Sequence, residues 1–109
     1  MAYDEKLADK IREVMKRRRG ITEKKMFGGL TFLANGNMAC GVVGAELMVR
    51  VGKDAYEDAL KKPGARPMDF TGKPLAGMVY VGKKGITRSA SLKGWVERGL
   101  SHARSLPPK

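Results

Sequence analysis

The chain has 109 residues, 42% apolar and 30% charged, with 22 lysines and arginines against 11 aspartates and glutamates, a formal net charge of +11. That size holds one domain with a real core, no apolar run approaches the roughly 18 residues of a membrane span, and the first twenty residues alternate charge with apolar positions and lack the apolar stretch of a secretory signal; the expectation is one domain, 1–109, cytoplasmic and without a membrane partner. The single cysteine, Cys40, excludes an intrachain disulfide and a cysteine-based zinc cluster.

From Asp4 the spacing of Leu7, Ala8, Ile11, Val14 and Met15 predicts an amphipathic helix capped by Asp4. Lys16, Arg17, Arg18 and Arg19 fall in its last turn, where cations offset the negative end of the dipole, and Gly20 fits the left-handed position beyond it. The basic run is then a solvated helix end, with a partner-binding role open beside it. Three strands follow, Leu30 to Ala34, Met38 to Val43 and Leu47 to Val51, the first two joined through Asn35-Gly36-Asn37, a strong hairpin signal. Gly28-Gly29 interrupts the first strand and marks a bulge, a bend or a close backbone approach, because phosphate-binding glycines normally precede a helix and these precede a strand. A short helix is predicted through Ala55, Tyr56, Ala59 and Leu60, stopped by Pro63-Gly64. Strands follow near Pro67–Phe70 and Gly77–Val81, joined through Thr71-Gly72-Lys73-Pro74, and a last helix runs from Ser89 to Leu106 before Pro107-Pro108. The order αβββαββα describes an α+β domain of two layers, with three helices packed on one face of an antiparallel sheet of about five strands.

The charge is uneven. Residues 1–25 carry nine basic and five acidic side chains, residues 26–60 two and four, and residues 61–109 eleven and two. Both ends are basic and the middle is not, which favours an anionic partner, or serves solubility alone. The nucleic-acid or partner-binding candidates are Lys16, Arg17, Arg18, Arg19, Lys24, Lys25, Lys83, Lys84 and Arg88. Six of the seven aromatics sit at or beside apolar-patterned positions, only Tyr3 being free by pattern, so stacking on bases is not expected. Contacts to nucleic acid would be phosphate contacts, weak and salt-sensitive.

Chemistry is harder to find. Val51-Gly52-Lys53-Asp54 has Leu47 where a P-loop needs its first glycine and Asp54 where it needs Ser or Thr. Pro67 and Pro74 disqualify Thr71-Gly72-Lys73 in the same way. His102, the one histidine, reads as an exposed helix residue, and Cys40 as a small buried thiol. No catalytic residue, metal ligand or cofactor site emerges.

From Met26-Phe27-Gly28-Gly29 onward the chain resembles the N-terminal domain of the TfoX/Sxy family. Asn35-Gly36-Asn37-Met38, Leu47-Met48-Val49-Arg50-Val51, Arg66-Pro67-Met68-Asp69-Phe70-Thr71-Gly72, Gly77-Met78-Val79-Tyr80-Val81 and Trp95-Val96 continue the likeness in order over nearly the whole chain. The resemblance implies a two-layer fold like that of the secretion chaperones, which often dimerises. The family's best-known members regulate natural competence together with a cAMP-responsive activator at promoters and carry a second, C-terminal domain that this chain is expected to lack. It offers no catalytic set to carry over. The implied role is a non-enzymatic, transcription-related adaptor with a protein partner, a homodimer whose sheet edge Arg66 to Phe70 needs cover, and backbone contact with DNA. A chaperone-like module that binds proteins regardless of nucleic acid is the alternative, and an enzyme with an unrecognised site the third reading.

Overall fold

A computed structural model of the chain describes residues 3–26, 28–68 and 77–108. In chain order these form α1 (Glu5–Met15), β1 (Ile21–Met26), β2 (Gly29–Ala34), β3 (Asn37–Val43), β4 (Glu46–Arg50), α2 (Tyr56–Leu60), β5 (Ala65–Pro67), β6 (Met78–Val81), α3 (Lys83–Ile86) and α4 (Ser89–Ser105). The expected α+β class holds, with one antiparallel sheet in the order β1-β2-β3-β4-β6-β5. Two elements were not foreseen, β1 and the single-turn α3. Phe27 and the segment Asp69 to Gly72 with Lys73 and Pro74 lie outside the described residues.

Alternation along the strands sorts the sheet into two faces. Leu47 and Val49 of β4 and Val79 and Val81 of β6 join Ile11 of α1, Ala59 of α2, Ile86 of α3 and Leu92 of α4 in one apolar cluster, so the helices share a face. The intervening Met48, Met78 and Tyr80 point the other way and bury with Met68 in a second cluster. The first helix starts as expected: Asp4 Oδ1 accepts from the N–H groups of Lys6 at 2.9 Å and Leu7 at 3.3 Å. Its end differs. The helix stops at Met15 with Lys16 as its C-cap, and Arg12 is the basic residue of its last turn. Arg17 to Arg19 lie beyond it, in the connection that Gly20 (φ +74°) bends into β1.

The Asn35-Gly36 hairpin forms as expected. Both residues have positive φ, 53° and 84°, the geometry of a type I′ turn, and Ala34 pairs with Asn37 across it. The missed strand, β1, shows why it was missed: four consecutive exposed residues, Thr22 to Lys25, leave no alternating apolar signal, and the strand is held by its ladder to β2. Arg12 adds a cross-tie, with Nε 2.9 Å and Nη2 2.8 Å from the two carboxylate oxygens of Glu23. Tyr3, free by pattern, bridges to Gly44 and packs against the core. The fifth strand lies earlier than expected, at Ala65–Pro67; Arg66 reaches Glu46 with Nη2 2.6 Å from Oε1 and stacks its guanidinium 4.8 Å from the Tyr80 ring centre.

Gly28 and Gly29 do not interrupt a strand. They close the β1–β2 hairpin, where Met26 pairs with Gly29. Of the bulge, bend or close approach expected at this pair, the turn and the close approach are found here, and a bulge lies in β3, where Phe32 pairs with Cys40 and Leu33 with Met38 and Ala39 is left unopposed. The two glycines are required for different reasons. Gly28 has φ +73° with open space around it, whereas a Cβ on Gly29 would collide with the Val42 carbonyl oxygen and come within 3.0 Å of its carbon. Gly28→Ala is expected to cost about 1 kcal/mol, partly recovered by Gly28→Asn. Gly29→Ala is expected to cost about 3 kcal/mol, because backbone must move. Denaturant titration checks the order; equal losses at both positions would contradict it.

Candidate functional site

Helix α4 is seated by β3. Gly99 lies against the carbonyl oxygen of the bulged Ala39 so closely that a Cβ there would clash, and the buried Asn37 side chain donates from Nδ2 to the carbonyls of Ala103 at 3.4 Å and Pro107 at 2.9 Å. On this seat the helix buries Leu92, Trp95, Val96, Gly99, Leu100 and Ala103. Its other residues face outward, and consecutive positions such as Lys93 and Gly94 diverge by about 100° around the axis. Each opens onto a different concavity.

The first concavity, of about 510 Å³, is lined by Glu13, Val14, Lys16, Arg17, Arg18 and Lys93. Because the chain leaves α1 at Met15, the basic run is laid against α4 instead of continuing along its own helix. Two bonds fix it there: Arg18 Nη2 lies 2.6 Å from Glu97 Oε2, and Arg104 Nη2 donates to the Arg19 carbonyl at 3.0 Å. Lys16, Arg17 and Lys93 are exposed and form no ion pair among the described residues. Four of the expected binding residues thus gather beside one helix, and Arg18 has a structural partner as well.

The second concavity, also about 510 Å³, lies between Lys62-Pro63, α3 and the first half of α4. Lys84 and Arg88 line it, as do Lys62 and Arg98, which the sequence reading did not single out. Arg98 stacks 5.5 Å from the Trp95 ring centre and lies 3.6 Å from Asp58. Lys83 is exposed on α3 and lines neither concavity; Lys24 and Lys25 stand on β1 and are not brought to either.

Ordinary catalytic groups are poorly placed. Cys40 is fully buried between Phe32 and Val49, and desolvation pushes its thiol up to about 12, which suppresses the thiolate. Among the described residues no group of three or more His, Cys, Asp or Glu could hold a metal. His102, read as exposed, is half-buried, with its ring beside Gly52. Burial holds its pKa below the ordinary 6.5, Arg50 adds to the depression, and Asp54 opposes it.

A depressed folded-state pKa means that the unfolded chain binds the His102 proton first. Stability from this residue is therefore present above the unfolded value near 6.5 and is lost as pH falls through the lower folded value. Urea midpoints measured across this range should fall toward acid in the parent protein and fall less in His102→Gln; identical slopes would contradict the burial of a neutral imidazole.

The family model for the TfoX N-terminal domain matches residues 13–103, which span α1 from its third turn through most of α4. No curated protein and no solved structure gives a match.

Proposed function

Because this chain belongs to the TfoX N-terminal domain family, we propose that it is a regulatory binding domain, without a reaction of its own, that acts beside a protein partner and contacts nucleic-acid phosphates through the flank of α4. The observation that carries the reading is the convergence of Lys16 and Arg17 with Lys93, far apart in sequence, around one concavity without ion-pair partners among the described residues. Like charges held together cost stability unless an anion completes them. Their side chains are long, exposed and set on a curved face, which suits the phosphates of a backbone and not the edges of bases. Lys93 stands on the side of α4, Lys16 caps α1 and Arg17 follows in a connection tied to α4 through Arg18 and Arg19, so the backbone under the patch is held in place before any partner arrives.

Charge reversal must spare Arg18, whose replacement by Glu would set two carboxylates together at Glu97. In Lys16→Glu/Arg17→Glu/Lys93→Glu the fold should persist while weak binding to a duplex of arbitrary sequence falls. With about three phosphate contacts removed at about −0.9 each, the slope of log affinity against log salt should flatten by about 2.7, the share of the decline between about 50 and 200 mM salt that amounts to about 40-fold. Fluorescence anisotropy reads this; an unchanged slope, or no binding by the parent at low salt, would overturn the nucleic-acid part of the reading. A pull-down with and without nuclease then separates a partner bridged by nucleic acid from one held by protein contact, as the chaperone-like alternative requires.

A further inference from the structure

We propose that the cleft between Lys62-Pro63, α3 and the first half of α4 binds a small organic phosphate, its phosphate held by Lys84, Arg88 and their neighbours and its neutral body against Pro63 and Trp95. This goes beyond the duplex contact assigned to the other flank of α4. Four cations, Lys62, Lys84, Arg88 and Arg98, come from the α2–β5 connection, α3 and α4 to one concavity whose lining contains no carboxylate. Lys62, Lys84 and Arg88 make no ion pair among the described residues, and Arg98 meets its acid, Asp58, at 3.6 Å. Their mutual repulsion is relieved by an anion with several charges in the cleft.

The cleft has room for a small ligand; its volume equals that of the other concavity, and what sets it apart is a lining without a carboxylate that includes Pro63 and Trp95. About 510 Å³ lies within the roughly 300–1,000 Å³ of small-molecule sites. One wall is backbone: a Cβ on Gly85 would strike the Pro63 carbonyl oxygen, so α3 packs directly on the Pro63 turn. The first turn of α4 adds backbone donors at the same place, since no side chain caps its N-terminus.

Gly94 is the most telling residue. Glycine weakens the interior of a helix, and the other glycine inside α4, Gly99, repays this by letting the helix approach Ala39. Gly94 has no such reason: a Cβ there would meet nothing within 4 Å. It lines the cleft, and what its missing side chain preserves is the open volume.

The probes are phenyl phosphate, phenol, inorganic phosphate and a blunt unphosphorylated duplex, each titrated into the ¹⁵N-labelled protein. The amides of Ser91 and Gly94 and the indole N–H of Trp95, the sole tryptophan, report the cleft. Phenyl phosphate should shift them saturably, with inorganic phosphate weaker and phenol inert. Lys84→Glu/Arg88→Glu should weaken phenyl phosphate by about tenfold or more. Gly94→Leu should raise the melting temperature and abolish the binding, a pairing that unfolding cannot produce. Failure of phenyl phosphate to shift these signals at millimolar concentration, retention of binding in Gly94→Leu, or a larger shift of the same signals by the duplex would each overturn the proposal. The last would assign the cleft to the nucleic-acid surface, and the first leaves the duplex reading of the other flank intact.

Discussion

The close approach of Gly99 to the carbonyl of Ala39 is the constraint on which the rest of the structure depends. A regular β3 would turn that carbonyl into a ladder; the bulge, with Ala39 unopposed between the Phe32–Cys40 and Leu33–Met38 pairs, frees it toward the helix. A helix can come this near a sheet only where a Cβ is missing, and Gly99 supplies the gap. Asn37, two residues before Ala39, ties down the far end of α4 through the Ala103 and Pro107 carbonyls. One short stretch of β3 therefore sets the depth of α4 and fastens its C-terminal end, and α4 in turn carries a wall of each basic concavity.

Much of the fold was legible because it is written in local chemistry. Asp4 could be read as a cap, Asn35-Gly36 as a turn and Pro107-Pro108 as a stop, since each acts within a few residues of itself. The central strands announced themselves as short, nearly continuous apolar runs, and they are buried on both faces. What escaped was non-local. Edge strand β1 is exposed along Thr22 to Lys25 and exists because β2 offers a ladder, so no property of its own sequence distinguishes it from a loop. The bulge could not be placed because Ala39 is an ordinary residue whose importance comes from Gly99, sixty positions away. The glycine pair at 28–29 drew attention to the right place for half the right reason: Gly29 does allow a close backbone, while Gly28 makes a turn.

The proposed binding surface was legible in part for the same reason. The run Lys16 to Arg19 is conspicuous in sequence, but its meaning changed once α1 ended at Met15 and Arg18 was found paired with Glu97. Lys93, Lys62 and Arg98 are unremarkable in the chain and matter only through what packing brings beside them. Three carboxylates tie elements together, Glu23 to Arg12, Glu46 to Arg66 and Glu97 to Arg18, while Lys16, Arg17, Lys62, Lys84, Arg88 and Lys93 form no ion pair among the described residues. That division explains how a chain of net charge +11 folds compactly while keeping a concentrated positive surface.

Native-state hydrogen exchange on Gly99→Ala, compared with the parent, tests this account most directly. If the Gly99–Ala39 approach seats α4, the added methyl should lower the protection of the amides from Val96 to Ala103 and of β3 around Ala39 most strongly, by about 2–3 kcal/mol, while the Arg12–Glu23 end of the molecule, reporting through α1, loses less. Protection that falls uniformly across all elements, or not at all in α4, would contradict the claim that this contact positions the helix and, through it, the basic concavities.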